Sequence, residues 1–182
     1  MKKIAACAGI FCVSGIFCLN LWAADLPAPV AQAVPQATLS GSTRLRVWGF
    51  EVYDAQLWVA PGFQAARYAD TPFALELRYL RDFSRADIAR RSITEMRRSA
   101  SIPDAQAQAW QQKLEAAFPD VKKGDRILGI YEPQTQTARF LTNGQPTGEI
   151  RDGNFAALFF GIWLSPQTSE PAMRKALLAA AP

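Results

Sequence analysis

From Tyr53 to Val59 every second side chain shares one character: Tyr53, Ala55, Leu57 and Val59 alternate with Val52, Asp54, Gln56 and Trp58. A period of two places alternate side chains on opposite faces of a pleated strand. Pro61-Gly62 punctuates this run, and Phe73, Leu75, Leu77 and Tyr79 then repeat the alternation against Glu76 and Arg78. Two such runs predict antiparallel strands with one buried face. The period then lengthens. Ser84 reads as an N-cap with Asp87 three residues on, and Ala89, Ile93 and Met96 form a helical stripe reaching about Ser99. Ser101 is expected to cap a second helix, with Pro103 in its first turn and Trp110, Leu114 and Phe118 inward at spacing four. DRILGIYEP and TARFLTN read as strands, and NGQPTG as the turn before a short GEIRD segment. FAALFFGIWL is apolar nearly all round, predicting a buried helix, and the amphipathic EPAMRKALLAA closes the chain. Strands, two helices, strands and two helices predict an α+β fold, with helices gathered on one face of an antiparallel sheet.

The ends of the chain divide differently. Lys2-Lys3, an apolar run from Ile4 to Trp22 and the small residues Ala23 and Ala24 make residues 1–24 a secretory signal peptide, with AQA at 31–33 as a second cleavage pattern. A retained anchor is the alternative, because the apolar length approaches that of a spanning helix. Export to the bacterial periplasm is the expectation. Residues 25–38, rich in Pro, Ala and Gln, read as a loose spacer. Residues 39–182 are of a size for one domain with a substantial core.

Composition narrows the chemistry more than charge does. There is no histidine, and all three cysteines, Cys7, Cys12 and Cys18, fall in the leader. The mature chain therefore has no Ser-His or Cys-His catalysis and no His- or Cys-bound zinc. No phosphate-binding Gly-rich loop is present, no cofactor or metal is expected, and nothing demands nucleic acid. Without Lys2 and Lys3, 18 of the 20 basic residues remain against 16 acids, which leaves little net charge.

What remains is arginine, tyrosine, tryptophan and carboxylates. Arg44, Arg46 and Arg78 lie in strand-like runs, facing either solvent or an anionic ligand under the helices. Arg90/Arg97 and Arg91/Arg98, each seven apart, read as a solvated helix face, with docking to anionic lipid or an acidic partner as the alternative. Trp48, Trp58, Phe159, Phe160 and Trp163 read mainly as core, with one or two near a pocket mouth. Glu51 and Asp54 fall on opposite faces by simple alternation and cannot act as a pair. Asp152, ahead of the apolar helix, reads as an N-cap.

The order of LSGSTRLRVWGFEVYDAQLW, FALELRYLRDFSRADIARRSITEM, FPDVKKGDRILGIY and NFAALFFGIWLSPQTSEPAMRKALL resembles the bacterial periplasmic branch of the chalcone isomerase-like family, most specifically in VYDAQLW and FFGIWLSPQTSEP. The resemblance implies an open-faced β-sandwich: a large antiparallel sheet covered on one side by helices. Enzymes of that family close a flavanone ring with a strand arginine, a threonine and a tyrosine. By resemblance the arginine falls on Arg44, or Arg46 if the loop is shifted. The threonine position carries Tyr53, as in the non-catalytic, fatty-acid-binding branch, and the tyrosine position carries Phe83, which has no hydroxyl. These departures imply a binding protein for a fatty acid or other apolar acid, with Arg44 and Tyr53 gripping its carboxylate. Two alternatives stand beside it: a lyase or isomerase acting on a phenolic enone, and a protein-interaction module using the Arg90/Arg97 stripe.

Overall fold

The computed structural model describes residues 26–181. The expected leader, 1–24, lies outside them.

Six strands run as an antiparallel meander whose spatial order is the chain order. They are β1 (Thr38–Val47), β2 (Phe50–Val59), β3 (Phe73–Tyr79), β4 (Arg126–Glu132), β5 (Thr137–Thr142) and β6 (Gln145–Arg151). The sequence alternation sets the register: Tyr53 faces Tyr79, Ala55 faces Leu77, Leu57 faces Leu75 and Val59 faces Phe73 across β2 and β3. Side chains at paired positions share a face, so these eight form the floor of the main core. With Ile127, Tyr131, Ala138, Phe140 and Ile150 they are covered by helices.

The covering helices are α2 (Arg85–Met96) and α3 (Asp104–Ala117), inserted between β3 and β4, and α4 (Gly153–Leu164) and α5 (Pro171–Leu177), which follow β6. As expected, the Ser84 hydroxyl caps α2 by accepting from the Asp87 N–H at 3.1 Å. Asp152 caps α4, one carboxylate oxygen accepting from the Phe155 N–H at 3.0 Å and the other from the buried Trp110 indole N–H at 2.9 Å. Helix α4 is buried on most sides because Phe155, Phe159 and Phe160 leave it no polar face. Phe159 meets Phe140 edge-on at 5.3 Å, pinning the helix to the sheet. Gly41 lets α5 press directly on β1, since a Cβ there would stand 2.0 Å from the Ala176 carbonyl oxygen.

Three local expectations are corrected. The 25–38 segment is not a loose spacer. It forms α1 (Ala28–Ala33), and Val30 and Val34 are fully buried against Trp58, Leu128 and Ile130 on the other face of the sheet. An i, i+4 valine pair gives even a Pro- and Ala-rich turn an apolar edge. Ser101 does not cap α3; Pro103 occupies that position, and no side chain caps the helix. Gln145 to Gly148 is strand rather than turn. Asn143 and Gly144, both at positive φ, make the β5–β6 turn by themselves, and Pro146 sits on the edge strand.

Candidate functional site

Between the covered face of the sheet and helices α2, α4 and α5 lies a cavity of about 740 Å³. Its walls are mainly apolar, with Leu77, Ile127, Phe118, Phe159, Ile162 and Met173 among them. It lies toward the β1–β2 end of the sheet, whose turn residues line it. There the filling residues are the long side chains of the mouth: Val47, Trp48, Phe50, Arg81, Arg90 and Arg91.

Tyr53 is the main polar feature of the interior. Its hydroxyl oxygen accepts from the Trp163 indole N–H at 2.9 Å. Its own proton has only the Met173 sulfur, at 4.0 Å, which is a weak acceptor. Burial pushes the Tyr53 pKa well above that of a free phenol, although the Trp163 hydrogen bond works against the rise. Tyr79 is raised in the same way, first by burial and then by Tyr53. Both rings therefore stay neutral, and Tyr53 holds a proton available to an acceptor in the cavity. Phe83 also lines the cavity, edge-on to Tyr79 at 5.8 Å. Its backbone N–H and C=O both bond to Val121, which fixes the turn into α2.

The wall provided by α2 carries a buried carboxylate. Glu95, with only 9% of its side chain exposed, is met by Arg91 at 2.7 Å and by Arg98 at 3.8 Å. It also accepts from the Ser169 hydroxyl at 2.8 Å. The acid is thus paired beneath the helix, while the Arg90 and Arg91 side chains remain about two-thirds exposed, at 66% and 69%.

The structure does not bring together the four residues expected at the site. Tyr53 and Phe83 line the cavity. Arg44 and Arg46 do not, because they project from the opposite face of the sheet. Arg44 pairs with Asp54 across β1 and β2, and Asp54 with Arg78 across β2 and β3, so the three share one row. Arg44 grips Asp54 through Nε at 2.6 Å and Glu51 through Nη1 at 2.8 Å; Arg78 reaches Asp54 at 2.7 Å, and Arg46 reaches Glu51 at 2.9 Å. The hydrogen bond from Arg44 holds the carboxyl groups of both Asp54 and Glu51 below their usual range. The expected Arg44–Tyr53 grip therefore cannot form, since the sheet lies between the two groups. This also decides the even choice left by the sequence for Arg78, which faces the exposed side.

Glu51 and Asp54, expected on opposite faces, share Arg44. A register shift between Leu45 and Arg46 passes over Val52, so Tyr53 pairs with Leu45 while Glu51 pairs with Arg46. The additional residue turns Glu51 onto the side of Asp54. Of the five aromatic residues considered for a pocket, Trp48, Phe159 and Trp163 line the cavity; Trp58 lies under α1 and Phe160 is core.

Sequence reasoning missed Arg81, Glu95 and Ser169, and placed Arg91 on a surface stripe rather than at the cavity. One signal was present: Glu95 continues the stripe of Ile88 and Ser92 on the inward side of α2, where a solvated acid does not belong. Among the described residues no three His, Cys, Asp or Glu side chains gather to hold a metal ion.

Residues 23–179 match the profile of a family described as chalcone isomerase-like. An uncharacterized protein of Haemophilus influenzae is 26% identical over 132 residues, covering 72% of this chain. The chain spans only 63% of that relative's length. The fold is similar to that of a fatty-acid binding protein of Arabidopsis thaliana, with a TM-score of 0.60 and 10% identity over 80% of this chain and 89% of the other.

Proposed function

The chain belongs to the chalcone isomerase-like family, and from that premise we propose that it is a non-catalytic binding protein for a fatty acid or another apolar carboxylic acid, exported to the periplasm by its leader. The cavity carries this reading: about 740 Å³, mainly apolar, with a neutral donor at Tyr53 and arginines at the mouth. That volume falls within the roughly 300–1,000 Å³ range of small-molecule pockets. An acyl chain gains by leaving water for such walls, and its head group accepts the Tyr53 proton. Arg91 lines the cavity and is the cation we assign to the head group in place of Arg44, although it also pairs with Glu95, and Glu170 lines the same cavity. The similarity to a plant fatty-acid binding protein supports the same ligand class.

Ring-closing chemistry is the less favoured reading. It needs donors aimed at a developing enolate. Phe83 contributes a bare ring, and the strand arginines that would steady a phenolate are bound to Asp54 and Glu51 beyond the sheet.

Two measurements test the proposal. Natively purified protein, denatured and examined by mass spectrometry, is expected to release an acyl or aromatic acid in near-stoichiometric amount. In titrations with a fluorescent long-chain acid, Arg44→Ala is expected to bind like the parent, while Arg91→Gln weakens binding. An empty protein that also ignores added C12–C18 acids overturns the proposal. A loss of binding confined to Arg44→Ala returns the head group to the other face.

A further inference from the structure

The β1–β2 turn exposes three apolar side chains in four residues. Trp48 is 95% exposed, Phe50 59% and Val47 36%. Each also lines the mouth of the cavity. Trp48 and Gly49 both have positive φ, 50° and 83°, the geometry of a tight hairpin turn that favours Asn-Gly. The β5–β6 turn has nearly the same geometry, with Asn143 at 51° and Gly144 at 81°, and uses that favoured pair. A tryptophan in the left-handed region is therefore something this turn does not need for folding. A tryptophan held at positive φ on an exposed tip, where Asn would serve the turn better, points to a role outside the fold.

The charges around the tip indicate what covers it. The segments 44–54 and 78–98 hold nine arginines against five acids, and Asp120 and Asp104 from outside them pair with Arg85 and Arg97, which leaves a surplus of two positive charges. The acids there are largely occupied: Glu51 and Asp54 by Arg44 and its neighbours, Asp87 by Ser84 and Arg90, Glu95 beneath α2. Arg81 stacks its guanidinium 4.8 Å from the centre of the Phe50 ring, an arrangement that leaves its charge facing outward beside the apolar tip. Tryptophan and arginine side by side suit a bilayer interface, where the indole sits among headgroups and the guanidinium meets phosphate. Among the described residues no helix is long and apolar enough to cross a membrane, so contact by this part of the chain is peripheral.

We infer that the Val47–Phe50 tip is a membrane-docking finger: Trp48 and Phe50 enter the headgroup region of an anionic phospholipid bilayer, with Arg81 and Arg90 on phosphate, and the cavity mouth is set against the lipid. The finger stands on the tip's own exposure and charge and does not depend on which ligand the cavity holds. An apolar ligand would pass between lipid and cavity without crossing water.

The test compares the full chain with W48N/F50T in co-sedimentation with vesicles of phosphatidylglycerol and phosphatidylethanolamine, and with vesicles of phosphatidylcholine alone. Trp48→Asn restores the favoured Asn-Gly turn, so the variant is expected to melt at or above the parent temperature. Because both proteins carry the same leader, the difference between them reports the tip. The expected result is at least a tenfold weaker binding to anionic vesicles in the variant, with parent binding reduced by salt and weak on phosphatidylcholine. Brominated lipids should quench the parent more than W48N/F50T, and the difference reports Trp48, since Trp58, Trp110 and Trp163 are buried and Trp22 is common to both proteins. Equal binding of parent and variant, absent quenching, or equal binding to uncharged vesicles overturns the inference. A dimer seen by sedimentation of the parent and lost in W48N/F50T overturns it in favour of a second copy covering the tip.

Discussion

Tyr53→Phe separates two tasks of one hydroxyl. The ring and its packing against Tyr79 at 6.1 Å are retained; only the oxygen is lost. As an acceptor, that oxygen satisfies the Trp163 indole N–H. Removing it leaves a buried donor unpaired, which costs about 1–3 kcal/mol of stability. As a donor, it is proposed to bond an ionised head group. A hydrogen bond to a charged group contributes roughly 1.5–3 kcal/mol, so the dissociation constant should rise about 10- to 150-fold. The two effects come apart in the double variant. Trp163→Phe removes the orphaned donor, so Y53F/W163F should be less destabilised than the sum of its single changes, yet bind no better than Y53F. Chemical denaturation measures the first quantity, and competition against a fluorescent fatty acid the second. Parent-like affinity in Y53F would refute the assignment of the head group to Tyr53. Strict additivity of the stabilities would refute the role given to the Trp163 hydrogen bond.

Asp152→Ala should lose an N-cap worth about 1 kcal/mol and strand the Trp110 N–H for about 1–3 kcal/mol more; Asp152→Asn, which keeps a capping oxygen, should lose less, as read from urea midpoints. Asp54 has its folded pKa depressed, chiefly by the Arg44 hydrogen bond. Its contribution is therefore present above the unfolded value of about 3.9 and fades as pH falls through the lower folded value. Asp54→Asn should cost no more than about 1 kcal/mol at neutral pH for these partly exposed pairs, and the gap to the parent should close in acid; a gap that widens there refutes the pairing.

The strands and most helices were legible because their apolar residues keep a clean period. Tyr53 to Val59 and Phe73 to Tyr79 can bury one face in only one register, and α4 has no polar side to expose. The site was less legible, because alternation holds only while the register does. One skipped residue at Val52 moved Glu51 to the face of Asp54. With both acids there, the outer face could hold Arg44, Arg46 and Arg78 by itself, with no need for a ligand. No residue type announces such a bulge. The α1 helix was obscured for a different reason, since composition masked a pair of valines at helical spacing. Glu95 could have been found, because an acid on an inward stripe requires partners.

Helix α1 also bears on the proposed removal of a leader. Two possible cut sites precede it, after Ala23 or Ala24, and one coincides with its last residue, Ala33. A peptidase cutting at the later site would carry away Val30 and leave Trp58 and Ile130 bare on the sheet. Once docked, α1 also keeps that later bond inside folded structure, where a protease cannot draw it out as an extended strand. On the proposal that a leader is removed, the valine pair sets how far a cut can advance before the sheet loses its cover.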